Sequence, residues 1–345
     1  MNILRDGFDG FYSLIKPTVF KLTEKNPNVA HRLFANSLKV LEKSGLAGLV
    51  LDNTENYLNS SYAISNAAGF NKNAEISLKM IKLLGFQRAV IGTVTYDAYE
   101  GNPEPNEKRF PETGSHVNWK GLPGVGAEEV VRRLEKYLEC SIPLTINLMS
   151  TPGKEGVEAL IDLENTILAL RNSPYIDRFE LNIHCPNTRG KDGTVRERMK
   201  NLSHLDAMLD TVRINMFPTP SLYVKVSPDL SEKDVDDIVR IAEEYNIEGY
   251  VTTNTTIKHD SKYITEKMEQ GGASGNAVYD PSKKIQEYFA ERVGEDVKLI
   301  ACGGINSVDR MYERLTIGNC SEIQLFTPLI FKGTGLLRKL RAENI

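Results

Sequence analysis

Residues 179–190, which read FELNIHCPNTRG, join an apolar strand to a turn. Two asparagines, a histidine and a cysteine come together at the end of the strand, and Pro186 follows Cys185 directly. Buried strands seldom have four polar or reactive side chains at their exit, and in parallel α/β proteins ligands bind at that end. The stretch therefore predicts a site in which Cys185 is an acid/base group over a flat cofactor, with Asn182 and Asn187 holding the substrate.

Composition and charge limit the class of protein. The chain has 345 residues, of which 41% are hydrophobic and 26% charged, as is ordinary for a soluble globular protein. This length exceeds that of most single domains but suits one large barrel with an extension. The net charge of −4 gives no support for a nucleic-acid partner.

The four cysteines are widely spaced. Cys140, Cys185, Cys302 and Cys320 form no CxxC motif, so neither a disulfide framework nor a zinc site is expected, and a reducing compartment is the simpler interpretation. Cys185 is the one with a functional context, and the other three are predicted to be structural thiols. No apolar run approaches the roughly 20 residues of a membrane-spanning helix, and the N-terminus lacks a signal-peptide layout.

From about residue 60, short apolar runs alternate with helical patterns. The candidate strands are Tyr62–Ala68, Ala89–Thr93, Leu144–Met149, Phe179–His184, Leu222–Val226, Gly249–Thr253, Leu299–Cys302 and Glu322–Phe326. Helical patterns between them include Glu75–Leu84, Glu128–Tyr137, Val157–Leu170, Leu202–Val212 and Lys233–Glu244. Eight consecutive strand–helix units predict a (β/α)8 TIM barrel. A doubly wound sheet is the alternative, which the absence of a GxGxxG motif after the first strand weakens.

Residues 1–50 differ from the barrel. Aromatic and aliphatic side chains crowd the first helical pattern, which Pro17 is expected to interrupt, and a second pattern runs from Asn28 to about Gly45. Two amphipathic helices before a catalytic domain have two interpretations. The commoner arrangement is a helical pair packed on the barrel, and the alternative is an apolar lid or membrane-surface platform. The aromatic density supports the alternative.

Glycine-rich segments after the last strands indicate a phosphorylated cofactor. Gly303-Gly304 and Phe326-Thr327 follow the seventh and eighth predicted strands, where TIM barrels often bind phosphate through backbone N–H groups. Ser274-Gly275 adds a third segment of this kind. Lys72 and Lys225 stand at strand ends, and a flavin ring benefits from a cation such as Lys225 near N1.

Seven motifs, taken in chain order, resemble those of the dihydroorotate dehydrogenases. They are AAGFNK at 67–72, GTVT at 92–95 with GNPEP at 101–105, NIHCPNT at 182–188, VKVSPDL at 224–230, TNTT at 253–256, GGASG at 271–275 and GGINS at 303–307. The resemblance covers nearly the whole chain. Its N-terminal part is similar to the helical extension of the membrane-associated, quinone-reducing class 2 enzymes, in which that extension forms a quinone tunnel.

The resemblance implies an activity and a domain organisation. It implies that residues 1–50 form the helical extension and residues 51–345 an FMN-binding catalytic barrel, which oxidises (S)-dihydroorotate to orotate in de novo pyrimidine synthesis. Electrons would pass to a quinone. The implied location is the cytoplasmic face of a membrane, with peripheral contact through residues 1–45.

The resemblance also implies individual roles. Cys185 takes the place of the catalytic base. The implied FMN contacts are Ala68, Gly69, Thr93, Asn147, Asn182, Lys225 and Thr253, with Gly275, Gly304, Phe326 and Thr327 at the ribityl phosphate. The implied substrate-binding residues are Lys72, Asn118, Gly121, Leu122, Asn182, Asn187, Asn254 and Thr255. Asparagine suits a pyrimidine dione because its amide both donates and accepts hydrogen bonds.

Two features depart from the class 2 pattern. Cys185 stands where class 2 enzymes carry serine and resembles the base of the soluble class 1 enzymes. The segment NWKGLPG at 118–124 is also more similar to class 1. These departures keep open an alternative function, a different FMN-dependent reductase on the same barrel that acts on another unsaturated ring and uses fumarate or NAD(P).

Overall fold

The computed structural model of the protein describes residues 3–51, 61–137, 142–173, 176–183, 202–216 and 221–342. The helices are α1 (Ile3–Leu22), α2 (Asn28–Lys43), α3 (Ala47–Leu51), α4 (Leu78–Leu84), α5 (Ala127–Leu134), α6 (Gly156–Leu170), α7 (Leu202–Asn215), α8 (Glu232–Glu243), α9 (Tyr279–Ala290), α10 (Val308–Leu315), α11 (Thr327–Lys332) and α12 (Gly335–Arg341). The strands are β1 (Ala63–Asn66), β2 (Ala89–Val94), β3 (Glu107–Phe110), β4 (Ser115–Asn118), β5 (Leu144–Leu148), β6 (Ile176–Asn182), β7 (Ser221–Val226), β8 (Gly249–Thr252), β9 (Gly272–Gly275), β10 (Lys298–Cys302) and β11 (Cys320–Leu325).

Eight parallel strands form the central sheet in the order β1–β11–β10–β8–β7–β6–β5–β2. A parallel bridge between Ser65 and Arg88 brings β1 and β2 together and closes the sheet into a barrel. This is the predicted (β/α)8 TIM barrel, and each of the eight predicted strands corresponds to one of its strands. The strands are short apolar runs because helices cover the outside of the barrel and side chains fill its interior.

The five predicted helices between strands correspond to α4–α8. The first of them begins three residues later than predicted, at Leu78, because the Ser77 side chain caps it and accepts a hydrogen bond from Met80 N at 3.2 Å. A capping box formed by Ser231 and Asp234 begins α8 in the same way. The helix starts therefore follow local capping chemistry as well as apolar periodicity.

A three-stranded antiparallel sheet, β3–β4–β9, lies outside the barrel and was not predicted. β3 has the sequence EKRF and β9 has the sequence GASG, so neither shows the apolar alternation typical of a strand. Pairing holds them in place, with Glu107 opposite Asn118 and Ser115 opposite Gly275. This sheet supplies a wall of the site described below.

The N-terminal helices pack against the barrel and the small sheet. The Tyr12 hydroxyl donates to the carbonyl of Ile330 at 2.7 Å, and Asn28 Nδ2 donates to Asn106 Oδ1 at 3.0 Å. The expected interruption at Pro17 is wrong, since α1 continues through it to Leu22. A proline inside a helix removes one backbone hydrogen bond. α1 nevertheless continues past Pro17, and it packs on the barrel. Within the described ranges, no helix combines the length and the apolar character that spanning a membrane requires.

Candidate active site

Two cavities adjoin each other at the carboxyl-terminal mouth of the barrel. The smaller has a volume of about 190 Å³ and lies over the ends of the barrel strands. The predicted site residues that line it are Ala68, Gly69, Lys72, Thr93, Asn118, Leu122, Asn182, Lys225, Thr253, Asn254, Thr255, Gly275, Gly304, Phe326 and Thr327. The fold thus brings together residues from strands far apart in the sequence.

Four predicted residues are not among those lining this cavity. Gly121 directly precedes the lining residue Leu122. Asn147 lies behind Thr93 and forms a hydrogen bond to its side chain. Cys185 and Asn187 lie outside the described residues, so their predicted roles stay predictions.

A chain of hydrogen bonds crosses the barrel beneath the smaller cavity. Thr93 Oγ1 donates to Asn147 Oδ1 at 2.6 Å, and Asn147 Nδ2 donates to Glu180 Oε2 at 3.1 Å. The other Glu180 oxygen accepts from the Gln324 amide, whose own oxygen accepts from Lys225 Nζ at 3.2 Å. All five side chains are buried. Because buried charges require hydrogen-bond partners, the Gln324 amide joins the carboxylate to the ammonium and positions Lys225.

The Cys302 thiol lies beside this chain. Lys225 Nζ is 3.9 Å from its sulfur. Burial raises the pKa of the Cys302 thiol, and the Lys225 charge offsets only part of this effect. The thiol is therefore protonated near neutral pH, which agrees with the inert role predicted for it.

Three asparagines and a lysine face the smaller cavity. Asn254 Nδ2 donates to Asn182 Oδ1 at 3.0 Å, and Asn182 Nδ2 donates to Thr93 Oγ1 at 3.3 Å. Asn118 enters from the end of β4, and Lys72 Nζ lies 3.4 Å from the carbonyl oxygen of Thr93. Amides that donate and accept suit a flat ring with C=O and N–H groups on its edge, and the ammonium suits a carboxylate.

Glycine is required at two positions at one end of this cavity. Gly275 and Gly304 have φ values of +75° and +68°. A Cβ on Gly304 would lie 2.5 Å from the carbonyl oxygen of Gly275, and one on Gly275 would lie 2.3 Å from that of Gly114. The Thr327 hydroxyl donates to Ser274 Oγ at 2.9 Å beside them. This corner of bare backbone and hydroxyl groups fits a phosphate group.

The larger cavity has a volume of about 1110 Å³ and lies between the barrel and helices α1 and α2. Its walls include Ile15, Val19, Ala30, Phe34 and Leu337. The residues that line both cavities are Gly69, Lys72, His116, Lys120, Pro123 and Phe326. A molecule in the larger cavity would therefore lie next to a molecule in the smaller one.

A buried ion pair is part of the wall of the larger cavity. Glu107 Oε2 lies 3.1 Å from His116 Nε2 and 3.0 Å from Lys120 Nζ. Burial by itself raises the pKa of Glu107, but the hydrogen bond and charge of His116, followed by those of Lys120, outweigh it and lower the pKa to about 2. The carboxylate is therefore ionised at physiological pH.

Four polar residues of the site were not predicted from the sequence: Glu107, His116, Glu180 and Gln324. Glu180 and Gln324 lie inside β6 and β11, and the available signal was a polar side chain at an inward position of a barrel strand. Glu107 and His116 lie on the hairpin that lacked a strand signal. Their relation became visible only when β3 and β4 paired.

Known proteins with similar sequences and structures agree with this geometry. The family model for dihydroorotate dehydrogenase matches residues 41–343. This chain belongs to the dihydroorotate dehydrogenase family. The family predicted from the seven motifs is thereby confirmed.

Members of this family with similar sequences carry the name dihydroorotate dehydrogenase (quinone). The protein of Novosphingobium aromaticivorans is 30% identical over an alignment of 348 positions. The alignment covers 96% of this chain and 93% of that protein. The protein of Rhodococcus opacus is 32% identical over an alignment of 353 positions, which covers 96% of this chain and 95% of that protein. These similarities confirm that the chain resembles the quinone-type members most.

A solved structure of the family has the same fold. The ligand-free DHODH of Eimeria tenella superposes with a TM-score of 0.76 at 26% identity, over 92% of this chain and 94% of that one. The ferulenol complex of the Eimeria tenella enzyme superposes with a TM-score of 0.79 at 24% identity, over 92% and 90% of the two chains. The overall fold is therefore shared with these structures.

Proposed function

We propose that this protein oxidises (S)-dihydroorotate to orotate with bound FMN, in de novo pyrimidine synthesis, and passes the electrons to a quinone. The observation that carries the proposal is the convergence of Asn118, Asn182, Asn254 and Lys72 on one cavity in a member of this family. A pyrimidine dione presents C=O and N–H groups that asparagine amides match. Lys72 supplies a partner for the substrate carboxylate.

The residues around the smaller cavity suit FMN. The corner formed by Gly275, Gly304 and Thr327 would hold the phosphate, since close approach of bare backbone is possible there. Lys225, positioned by Gln324, offers a cation to the ring. When bound, the flavin supplies the acceptor for a hydride equivalent.

Cys185 is the proposed base. It comes three residues after Asn182 in the sequence, and Asn182, the last residue of β6, lines the cavity. Its thiolate would take the proton from C5 of dihydroorotate while the asparagines hold the ring. A free cysteine has a pKa of about 8.5, so flavin reduction is expected to become faster as the pH rises toward that value.

Anaerobic mixing with dihydroorotate tests the proposed substrate. Bleaching of the flavin absorbance supports it, and no bleaching refutes it. Cys185→Ala should keep FMN and slow bleaching by about 100-fold or more. Cys320→Ala is a matched control, because this free thiol lies at the start of β11, away from the mouth of the barrel. Equal rates in wild type and Cys185→Ala would exclude Cys185 as the base.

The larger cavity is the proposed acceptor site. Its apolar walls suit the ring and tail of a quinone, and it adjoins the proposed flavin site through six shared residues. Ala30→Phe would fill part of it and should raise the KM for quinone while bleaching by dihydroorotate is unchanged. Assays with quinone, fumarate and NAD as acceptors then distinguish this function from the alternative reductase.

The outer surface of the extension suits contact with a membrane. Large apolar side chains exposed there are Leu14 (78%), Leu22 (80%), Leu33 (53%) and Val40 (68%). Residues 1–45 contain seven Lys or Arg and four Asp or Glu, whereas the whole chain has a net charge of −4. Apolar side chains next to basic ones favour binding to an anionic lipid surface. These features support the proposal that the protein binds at the periphery of a membrane, and the family resemblance implies its cytoplasmic face.

A further inference from the structure

The wall between the two cavities carries buried charge. His116 and Lys120 line both cavities, whereas Glu107 lines only the larger one. Glu107 is paired in register with Asn118, so His116 is its diagonal neighbour on the same face of the β3–β4 hairpin. The Glu107 and His116 side chains are both less than a tenth exposed. An imidazole held by a carboxylate therefore faces the place where the two cavities meet.

Packing alone does not account for this arrangement. Moving a carboxylate and a cation out of water costs free energy, and apolar residues of similar volume are often at least as stabilising as a buried ion pair. Most other side chains of the larger cavity are apolar, including Val19, Phe34 and Leu337. A titratable pair in such a wall suits proton transfer or the binding of a polar headgroup.

We propose that His116, held in place by Glu107, donates a proton to the electron acceptor in the larger cavity, while Lys120 binds an oxygen of that acceptor. Glu107 is a positioning residue, because it acts through the imidazole. The inference rests on the proposed function in one respect, since it takes the acceptor to be a quinone. It assigns the proton source for the second half of the reaction to this chain's own hairpin.

The proton and electron counts balance. Reduction of a quinone to a hydroquinone requires two electrons and two protons. A hydride equivalent from the reduced cofactor provides two electrons and one proton and leaves the hydroquinone monoanion. The His116 imidazolium gives the second proton to its oxygen and becomes neutral imidazole, which regains a proton from water. Lys120 Nζ, 3.0 Å from Glu107 Oε2, keeps a cation beside the carboxylate when the imidazole is neutral.

His116 is a better candidate than the other histidine of this cavity. Burial, followed by the charge of Lys120, lowers the pKa of His31, so His31 is neutral near pH 7. His116 instead has a carboxylate at 3.1 Å. The other charged or titratable groups around the cavity are Tyr12 and Lys16 on α1, Arg32 on α2, Lys72 and Glu75 before α4, Tyr99 and Glu100 before β3, Arg109 on β3 and Lys120 after β4.

The guanidinium of Arg109, on the same hairpin, already contacts groups of α1 and the residue after it. Arg109 donates to the Thr23 carbonyl at 3.0 Å and to the Thr23 hydroxyl at 2.7 Å, and it stacks on the Phe20 ring at 4.3 Å. These contacts join the hairpin to the end of α1. His116 on the hairpin and Lys120 directly after it are thus basic side chains that line both cavities.

Rapid-mixing experiments on the two half-reactions test the proposal. Holoenzyme reduced with dithionite is mixed anaerobically with a short-chain benzoquinone, so the test does not depend on dihydroorotate. His116→Gln should slow flavin reoxidation at pH 7 by about 100-fold, as expected for loss of a general acid, and slow dihydroorotate bleaching far less. Glu107→Gln should also slow reoxidation, because the imidazole loses the carboxylate that orients it, and Glu107→Asp should restore part of the rate.

Two further variants test whether slow reoxidation could result from misfolding. Glu266→Gln makes the same change from carboxylate to amide at the exposed partner of Lys108, which adjoins Glu107 in β3, and should leave both half-reactions at wild-type rates. The paired change Glu107→Val and His116→Val replaces the carboxylate and the imidazole together by apolar side chains. It should retain FMN and still reoxidise slowly, which separates proton donation from folding.

Binding to the oxidised enzyme gives a readout without turnover. A hydroxynaphthoquinone anion resembles the hydroquinone monoanion, and the fluorescence of Trp119, the only tryptophan of the chain, reports its binding next to Lys120. His116→Gln should weaken binding by about tenfold or more, as expected for a lost charge-assisted hydrogen bond.

The outcomes distinguish this inference from the proposed function. Unchanged reoxidation and unchanged anion binding in His116→Gln would overturn the inference. Equal slowing of both half-reactions with FMN retained would also overturn it, because His116 would then serve the flavin site. Failure of dihydroorotate to bleach the wild-type flavin would refute the proposed substrate and leave the dithionite experiment intact.

Discussion

Lys225 on β7 donates a hydrogen bond to Gln324 on β11 across the interior of the barrel, at 3.2 Å. The same Gln324 amide donates to Glu180, so one side chain separates a buried cation from a buried anion. The ammonium is thereby held at the floor of the smaller cavity. Its position suggests that it stabilises negative charge on a bound flavin ring.

Lys225→Gln should therefore lower the midpoint potential of the bound flavin. Loss of the cation disfavours the reduced, anionic ring, and a fall of about 30 mV corresponds to about 1.4 kcal/mol for a two-electron couple. Redox titration of the purified holoenzyme measures the change. Lys154→Gln is a control, since Lys154 pairs with Asp97 and Asp162 away from the smaller cavity. A potential equal to that of wild type would show that Lys225 does not act on the ring.

Gly304→Ala should abolish stable FMN binding. The new Cβ would lie 2.5 Å from the Gly275 carbonyl oxygen, and the backbone there has a φ of +68°. Gly153→Ala is a matched control, because its φ is +92° but nothing lies within 4 Å of the added Cβ. Both variants carry backbone strain of about 1–3 kcal/mol, so only the steric effect differs. FMN content after purification decides the outcome, and full occupancy in Gly304→Ala would contradict the proposed phosphate corner.

Glu107 should make folding stability depend on pH in acid. Its pKa falls from 4.5 to about 2 in the folded protein, so its contribution is present above pH 4.5 and is lost as the pH falls toward 2. Glu107→Gln should therefore lower the free energy of unfolding by about 3 kcal/mol at pH 7, with a smaller effect at pH 3. Denaturant unfolding at the two pH values measures it.

The paired apolar variant provides the comparison for that measurement. Glu107→Val with His116→Val should cost less stability at pH 7 than Glu107→Gln alone, because it leaves no unpaired polar group at either buried position and Lys120, which loses its carboxylate in both variants, is partly exposed to water. The opposite order would mean that the ion pair itself stabilises the fold.

Leu33→Glu with Val40→Glu should weaken binding to anionic vesicles by about tenfold or more. These residues lie seven positions apart on α2, on one side of the helix, and both are exposed. Val157→Glu with Ile161→Glu is the matched control on α6, where both side chains are also exposed. Vesicle co-sedimentation measures binding, and equal losses for the two pairs would show that net charge alone is responsible.

The barrel was predictable because its signals are local. Each barrel strand is a short apolar run, and the helices between them show the 3.6-residue periodicity of a surface helix. Residues at the ends of such strands, including Lys72, Asn182 and Lys225, meet at one mouth whatever the details of packing. The hairpin at Glu107 was not predictable, because its four residues EKRF carry no strand pattern until β4 and β9 pair with it.

By itself, the sequence determined the eight barrel strands and five of the helices between them, the family and most of the residues that meet at the barrel mouth, because these depend on local periodicity and on motifs. Only the tertiary structure decided that α1 continues through Pro17, that Gln324 joins Glu180 to Lys225, and that Glu107 and His116 form one buried pair. Each of these depends on groups that are distant in the chain, and the free energy of pairing buried charges exists only once water has been excluded from both.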